Sequence, residues 1–410
     1  MLFLYDFGIR VYYFLVLLAS LKNKKARAWI EGRKNVFNRI FSLIDPSREH
    51  AWFHFASLGE FEQGRPVLEE FKAHYPGISI IITFFSPSGY QIRKDYDGAD
   101  HVFYLPLDTR ANAKKFIKLV NPAIAIFTKY EYWFHYFDEL QANKIPLYII
   151  SGLFRPDQPF FKWYGSLHRN MLHKVSHFFV QNKESKNLLS GLGLNNVSVN
   201  GDTRFDRVVK NISEVTEVPI VRDFCSGSKV FIAGSTWPQD ELLIASLTSK
   251  FPDWKFIIAP HEVDPAHIRS IEKFFPNSVK LSKQKVNTSE QVLIIDNIGM
   301  LSSLYQYADL AYIGGGFGVG IHNTQEAAGF GMPVIFGPNY KKFQEAKDLI
   351  VSGAFFPIST EDDLVDRMEY LQDEDVRIKL GAIAKDYVLS KAGATKIILE
   401  YLKEKRFASL

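Results

Sequence analysis

Residues 51–64 read AWFHFASLGEFEQG, an unbroken apolar run that ends in Ser57-Leu58-Gly59 and passes into an amphipathic segment. An apolar run without alternation fits a strand buried on both faces, and such strands belong to parallel sheets covered by helices. The unit repeats along the chain. ISIIITFF, HVFYL, AIAIFTK, PLYIIS and HFFVQ follow, each closed by a Gly, Ser or Pro signal and then a charged amphipathic stretch. A polar stretch without strong apolar periodicity runs from Gly201 to about Gly227, after which VFIAG, KFIIAP, VLIID, LAYIGG and PVIFGP restart the rhythm. The spacing predicts an α/β fold of two doubly wound, Rossmann-like domains, 46–210 and 211–390, with a helical tail from Thr360 onward. Residues 391–410 read as a C-terminal helix able to pack back on the first domain. Two such domains facing one another would place the carboxyl ends of both sheets on a shared cleft, where ligands of these sheets bind.

The 410 residues allow two or three domains, and the 47% hydrophobic and 23% charged content excludes wholesale disorder. One cysteine, Cys225, can form neither an internal disulfide nor a cysteine metal cluster, and is read as inert. The net charge of +4 is concentrated at one end: residues 1–50 hold nine Lys and Arg against four Asp and Glu. The remainder is near neutral and shows no basic run, which argues against nucleic acid as a partner. Leu2–Leu21, LFLYDFGIRVYYFLVLLASL, is apolar apart from Asp6 and Arg10 and is followed by Lys22, Lys24, Lys25 and Arg27. Charge after the apolar stretch is the reverse of a cleaved signal peptide. Val11–Ala19 is too short to cross a bilayer, though Leu2–Leu21 could just reach if Asp6 and Arg10 lie near an end; residues 1–45 predict a membrane-associated helix, shallow or monotopic, and a basic linker held at an anionic cytoplasmic surface. The competing expectation is a buried first helix of the globular core.

Three strand exits carry groups suited to chemistry. In SLGEFEQG, Ser57 and Glu60 have the spacing of a capping box. Gly59 permits close approach of a ligand, and a carboxylate at a strand exit is placed for general-base work; Glu60 can cap, act as base, or both. In GGGFGVGIHNTQEAAGFG, residues 314–331, Gly315 and Gly316 follow a strand, His322 is a turn residue or a donor to ligand, and Asn323 and Glu326 again have capping spacing. Anion binding at the helix that follows is expected there. In GSTWPQDE, residues 234–241, Ser235 and Thr236 are caps or phosphate donors, with Pro238 near the first helical turn. Three such loops suggest a phosphorylated ligand. No metal is predicted: Asp95-Tyr96-Asp97 and Asp373-Glu374-Asp375 read as solvated charge runs, and the histidines lack paired ligand spacing.

The ordered set WFHFASLGE, TFFSPSGY, YLPLD, YEYW, GDTRFD, GSTWPQDE, DNIGMLSSLYQYAD, IGGG, IHNTQEAA and FGPNYKKFQEA resembles the 3-deoxy-D-manno-octulosonic acid (Kdo) transferases of lipopolysaccharide synthesis over about residues 50–350. The resemblance implies a GT-B glycosyltransferase with CMP-Kdo as donor substrate, a lipid A precursor (lipid IVA) as acceptor and no cofactor. It also implies association with inner-membrane lipids at the cytoplasmic face. By this resemblance Glu60 stands at the catalytic base, with Ser57 and Gly59 completing its loop. Glu131 in YEYW matches the second glutamate of a family stretch whose first acidic position is here Lys129. Ser235 and Thr236 match a loop near the nucleotide, and His322, Asn323 and Glu326 an element associated with CMP. His261, in Ala259-Pro260-His261-Glu262, falls in a loop where the family carries an arginine one residue before its histidine. From the Glu60 loop and the lack of a convincing metal site, the reaction expected is inverting and metal-independent. The alternatives are another GT-B transferase using a UDP-sugar, and a membrane-tethered nucleotide-sugar-binding protein without turnover.

Overall fold

The structure is a computed structural model and describes residues 1–283 and 289–406. The chain forms two compact units, residues 1–207 with 392–410, and residues 208–391.

The first unit holds seven strands: β1 (His50–Phe55), β2 (Ser79–Phe84), β3 (His101–Tyr104), β4 (Pro122–Thr128), β5 (Leu147–Gly152), β6 (His177–Val180) and β7 (Val197–Val199). They lie in the order β3-β2-β1-β4-β5-β6-β7, every pair parallel. Every β1 residue is buried. Trp52 packs on one face of the sheet with Phe116, Phe127 and Tyr136, while Ala51, Phe53 and Phe55 join Phe61, Val67, Leu68 and Phe71 on the other. Each of those large side chains contributes about 1.5–3 kcal/mol by leaving water. This double burial is why the strands read as runs rather than as alternations.

The second unit repeats the plan with β8 (Lys229–Thr236), β9 (Trp254–Pro260), β10 (Ser278–Lys280), β11 (Val292–Ile294), β12 (Leu310–Ile313), β13 (Val334–Phe336) and β14 (Phe355–Pro357). Their order is β10-β11-β9-β8-β12-β13-β14, again parallel throughout. Strands β7, β10 and β14, each three residues long and each at a sheet edge, were not expected from the sequence, because an edge strand needs no long apolar run. The stretch read as polar after Gly201 contains the helices Arg204–Ser213 and Pro219–Cys225. Phe205, Val208, Val209 and Ile212 recur there at helical spacing, a period that the charged residues between them obscure.

Three helices precede β1: Leu2–Ser20, Lys24–Arg33 and Val36–Leu43. The first is long and apolar enough to cross a membrane, yet none of its residues is buried in the protein. The expectation of a buried core helix therefore fails. Tyr5 and Asp6 face the rest of the first unit, while Arg10 is exposed: Tyr5 donates to Asp108 at 2.5 Å, and Asp6 pairs with His135 at 2.6 Å. Tyr12 stacks on Phe85 and meets Trp29 edge-on. Arg33 clamps the second helix by donating to the Trp29, Leu105 and Phe85 carbonyls while its guanidinium lies 3.8 Å from the Trp29 ring. At the other end of the chain, the helix Ala394–Arg406 places Ile398, Leu399 and Leu402 in the same core cluster as β1.

The helix Leu58–His74 leads out of β1, and one residue sets how closely it lies on the sheet. A Cβ at Gly64 would stand 2.4 Å from the Phe55 ring and 2.7 Å from Thr128 Oγ1. Glycine alone lets the helix settle across the ends of β1 and β4. Gly64→Ala is expected to destabilise by about 1–3 kcal/mol through overpacking, read as a lower urea midpoint at unchanged slope.

Candidate functional site

In each sheet the strand order reverses once, between β1 and β4 in the first unit and between β8 and β12 in the second. At such a point the loops leaving the two adjacent strands diverge to opposite faces and open a crevice at their carboxyl ends. Glu60 follows β1, Glu131 follows β4, Ser235 and Thr236 end β8, and Gly315 and Gly316 follow β12. The candidate residues thus gather at the two switch points, one set in each unit.

In the first unit Glu60 accepts a hydrogen bond from the Ala56 N–H at 2.5 Å. Ser57 is the helix N-cap but its hydroxyl makes no capping bond, so the reciprocal capping box expected from spacing does not form. A Cβ at Gly59 would meet nothing closer than 3.9 Å. Packing within the chain does not demand glycine there, and the loop is left open beside Glu60. Burial, reinforced by the charge of Glu131, pushes the Glu60 carboxyl up to about 8, against the lowering effect of the Ala56 hydrogen bond and of Lys129.

Glu131 is held by a chain of side chains that sequence reading did not single out. Trp52 Nε1 donates to Thr83 Oγ1 at 2.8 Å, Thr83 Oγ1 lies 2.8 Å from His54 Nδ1, and His54 Nε2 lies 3.0 Å from Glu131 Oε2. Trp133 Nε1 donates to the same oxygen at 2.9 Å. With the imidazole proton on Nε2, every donor in this relay finds an acceptor. The sequence signal was His54 and Thr83, polar side chains inside strands that are otherwise apolar. Lys129, in the left-handed region at φ +66°, ends β4 beside this pair.

The second unit corrects two expectations. The helix after the glycine-rich loop is only Gln325–Gly329, five residues, too short to gather a useful dipole for anion binding. The N-terminus of the helix Pro238–Lys250 is already filled by its own carboxylate: buried Asp240 accepts from the Trp237 N–H at 2.9 Å, the Gly315 N–H at 3.0 Å and the Tyr312 hydroxyl at 2.7 Å. Thr236 is likewise committed, donating to buried Glu241 at 2.9 Å, so it is not free to donate to a phosphate. Ser235, at φ +55°, makes the turn out of β8. A Cβ at Gly316 would stand 2.6 Å from Gly337, and one at Gly315 2.6 Å from the Gly320 carbonyl. Both are glycines because loops cross there.

His322 and His261 do meet. Their rings stack at 4.2 Å, His261 also stacks on Trp237 at 4.9 Å, and Trp237 Nε1 donates to His322 Nε2 at 3.0 Å. Burial, with His261 adding to it, pushes His322 down to about 4, which keeps its ring neutral and able to accept that bond. Asn323 is exposed and accepts from the Gln325 N–H at 3.0 Å, while Glu326 stands one residue further along the short helix. Trp237, Pro238, Asp240, Gly315 and Phe317 line a pocket of about 340 Å³ within this unit. Cys225 is buried, and burial with the nearby Asp309 charge pushes its thiol up to about 12. No group of three potential metal ligands occurs among the described residues.

Two parallel doubly wound sheets with polar loops at both switch points define a GT-B-like protein. A UDP-GlcNAc 2-epimerase from Neisseria meningitidis, solved with UDP-GlcNAc bound, shares the fold at a TM-score of 0.62 and 18% identity over 87% of this chain and 100% of its own. The family match is more specific: residues 30–207 match the 3-deoxy-D-manno-octulosonic-acid transferase (kdotransferase) family. Over 94% of this chain and 93% of the relative, the sequence is 26% identical to a 3-deoxy-D-manno-octulosonic acid transferase of Haemophilus influenzae. It is 24% identical over 88% of its length to a bifunctional glycosyltransferase/methyltransferase of Fusobacterium nucleatum, of which it spans 58%. The resemblance carried by the motifs is borne out.

The geometry around Glu60 makes two expectations. In a ¹³C-carboxyl NMR titration Glu60 should titrate near pH 8, and Glu131→Gln, which removes a like charge, should move that midpoint downward; an unmoved midpoint would separate the two carboxyls. Because burial raises the folded-state value, stability that Glu60 contributes at low pH is lost as pH rises toward 8. Glu60→Gln should therefore melt higher than wild type at pH 8 and match it near pH 4.

Proposed function

We propose that this protein is an inverting glycosyltransferase that moves Kdo from CMP-Kdo to a glucosamine hydroxyl of a lipid A precursor, lipid IVA, at the cytoplasmic face of the inner membrane, without a metal. The observation that carries this reading is Glu60: a carboxyl at the switch point of the first sheet, raised to about 8 and bordered by an open glycine loop. A base with its midpoint near the working pH combines a usable ionised fraction with real basicity. Ionised Glu60 takes the proton of the acceptor hydroxyl as that oxygen bonds to the anomeric carbon. The bond from that carbon to the phosphate oxygen breaks on the opposite face, and CMP leaves with the electron pair. Charge on the sugar passes through an oxocarbenium-like state.

On the donor side, the Trp237–His261–His322 stack and the pocket beside Trp237 support a nucleotide site in the second unit. With Asp240 occupying one helix N-terminus and Thr236 bonded to Glu241, the Ser235 hydroxyl, the His261 ring and the Asn323 amide are the candidate residues that could donate to the departing phosphate. The helix Leu2–Ser20 supports membrane attachment. Tyr5, Asp6 and Tyr12 pin it along the first unit while Phe3, Leu4, Phe14, Leu15 and Leu18 stay exposed, an arrangement of a helix that lies on a membrane rather than crossing it.

Mass spectrometry of a lipid A precursor incubated with the detergent-solubilised protein and CMP-Kdo is expected to show a product heavier by one or more Kdo units, with or without a metal chelator. The rate should rise with pH to a plateau above a midpoint near 8. Glu60→Gln should lower it by at least 10²- to 10⁴-fold while CMP still protects the variant against heat. Protection by UDP and not by CMP, with no Kdo product, would overturn the donor assignment.

A further inference from the structure

The segment between β5 and the helix Ser166–Leu172 ends in the most exposed tryptophan among the described residues. Trp163 is 91% exposed and Tyr164 50%, and their rings meet edge to face at 5.6 Å. The turn beneath them is firmly built. Phe154 and Phe160 are buried in the cluster that also holds Trp52, and Phe161 packs against it. Arg169 donates to the Phe160 carbonyl at 3.2 Å and the Lys162 carbonyl at 2.7 Å, and the Gly165 N–H donates to the Lys162 carbonyl at 3.0 Å. A Cβ at Gly165 would run into the Pro159 carbonyl, so glycine is needed to close the turn. An aromatic pair on so fixed a base loses little conformational freedom when it enters an apolar or interfacial medium.

This turn stands on the same edge of the sheet as the helix Leu2–Ser20. All strands of the first unit are parallel, so the segments leaving β1 to β5 share the carboxyl edge. Tyr5 bonds to Asp108, beyond β3, and accepts from the Phe134 N–H, beyond β4, while Tyr12 stacks on Phe85, the first residue past β2. Phe85 meets Trp133 at 4.8 Å, and the adjoining Tyr132 meets Phe160 at 4.8 Å. Aromatic rings thus run from the apolar helix to the Trp163 turn. In the order β3-β2-β1-β4-β5, the exit of β1, which carries Glu60, lies within this span. Both ends of the span are cationic. Residues 11–30 hold Lys22, Lys24, Lys25 and Arg27 and no carboxylate, and residues 158–170 hold Lys162 and Arg169 and no carboxylate. Exposed Trp and Tyr beside Lys and Arg suit the headgroup layer of an anionic bilayer, where aromatic rings settle at the interface and cations meet lipid phosphates.

We propose that the Trp163-Tyr164 turn is a second membrane contact, which enters the headgroup layer of an anionic bilayer and, together with the helix Leu2–Ser20, turns the Glu60 edge of the first unit toward the lipid. A helix lying alone in the interface leaves the unit free to roll about the helix axis, and a second fixed contact removes that freedom. A glycolipid headgroup then reaches Glu60 while its acyl chains stay in the bilayer. The inference rests on the membrane attachment read above.

The test uses the full chain on vesicles of phosphatidylethanolamine and phosphatidylglycerol doped with a quencher lipid. A fluorophore is placed on one of three introduced cysteines: Trp163→Cys in the turn, Phe14→Cys on the exposed face of the helix, or Asn143→Cys in the loop entering β5, at the opposite edge of the sheet. Cys225 is buried with its thiol pushed up to about 12, so the label goes to the introduced residue. The probes at 163 and 14 should be quenched and the probe at 143 spared. Quenching at 14 without 163 defeats the second contact alone, whereas quenching at neither removes the membrane attachment as well. Kinetics add an independent arm. Trp163→Ser combined with Tyr164→Ser should raise KM for the vesicle-embedded glycolipid by about 10-fold or more, because one of two linked contacts is lost. Its kcat, its melting temperature and its KM for the deacylated acceptor in solution should stay close to wild type, and Trp163→Phe should keep most of the affinity. An equal rise in KM on the deacylated acceptor would overturn the bilayer assignment and make the aromatic pair a sugar contact. Quenching at 163 supports the proposal even if no Kdo is transferred.

Discussion

The reversal of strand order within each parallel sheet is the constraint on which the rest depends. Parallel strands need right-handed crossovers, so helices added on the two sides of the starting strand must cover opposite faces of the sheet. Between β1 and β4, and again between β8 and β12, the chain leaves neighbouring strands in opposite directions, and no helix can close the gap. The backbone thereby makes a crevice before any side chain is chosen. Side chains that end those four strands are held by buried ladders on both sides, so the chemistry stands on the stiffest part of each unit.

The protein treats its buried carboxylates in two ways. Burial pushes Asp202 up, but Arg204 and Gln63 more than offset this and hold it below the ordinary range, as suits an acid whose task is structural. Asp240 is given three donors from two segments and ties the β8 loop to β12 and the loop that follows it. Glu60 is half-buried beside a second carboxylate with much less compensation, which raises it. Leaving a buried acid underpaired is unfavourable for folding and is the usual physical mark of a residue kept for proton transfer.

The central strands were legible because double burial writes itself as an apolar run, as in Ile80, Ile81 and Ile82 of β2. Glu60, Glu131, His261 and His322 were legible through their place at strand exits and through the ordered motifs. Long-range pairing was not. Nothing near His54 in the sequence points to Glu131, seventy-seven residues on, and nothing in GSTWPQDE shows that Asp240 rather than a ligand would occupy the helix end. Capping spacing misled for a related reason. Asn323 and Glu326 stand three apart, but the helix they introduce stops after five residues because Gly331, at φ +84°, turns the chain toward β13.

The helix Ala394–Arg406 belongs to the first unit although residues 208–391 intervene. In connectivity, the second unit is an insertion within the first. As the chain leaves the ribosome the seven strands of the first sheet emerge early, but Ile398, Leu399 and Leu402, which cover one face of it, emerge only after the second unit. That face carries Phe53 and Phe55 and borders the helix bearing Glu60. The unit whose synthesis begins second is therefore complete before the unit that began first, and the shelf under the base is sealed only after the second unit has been made.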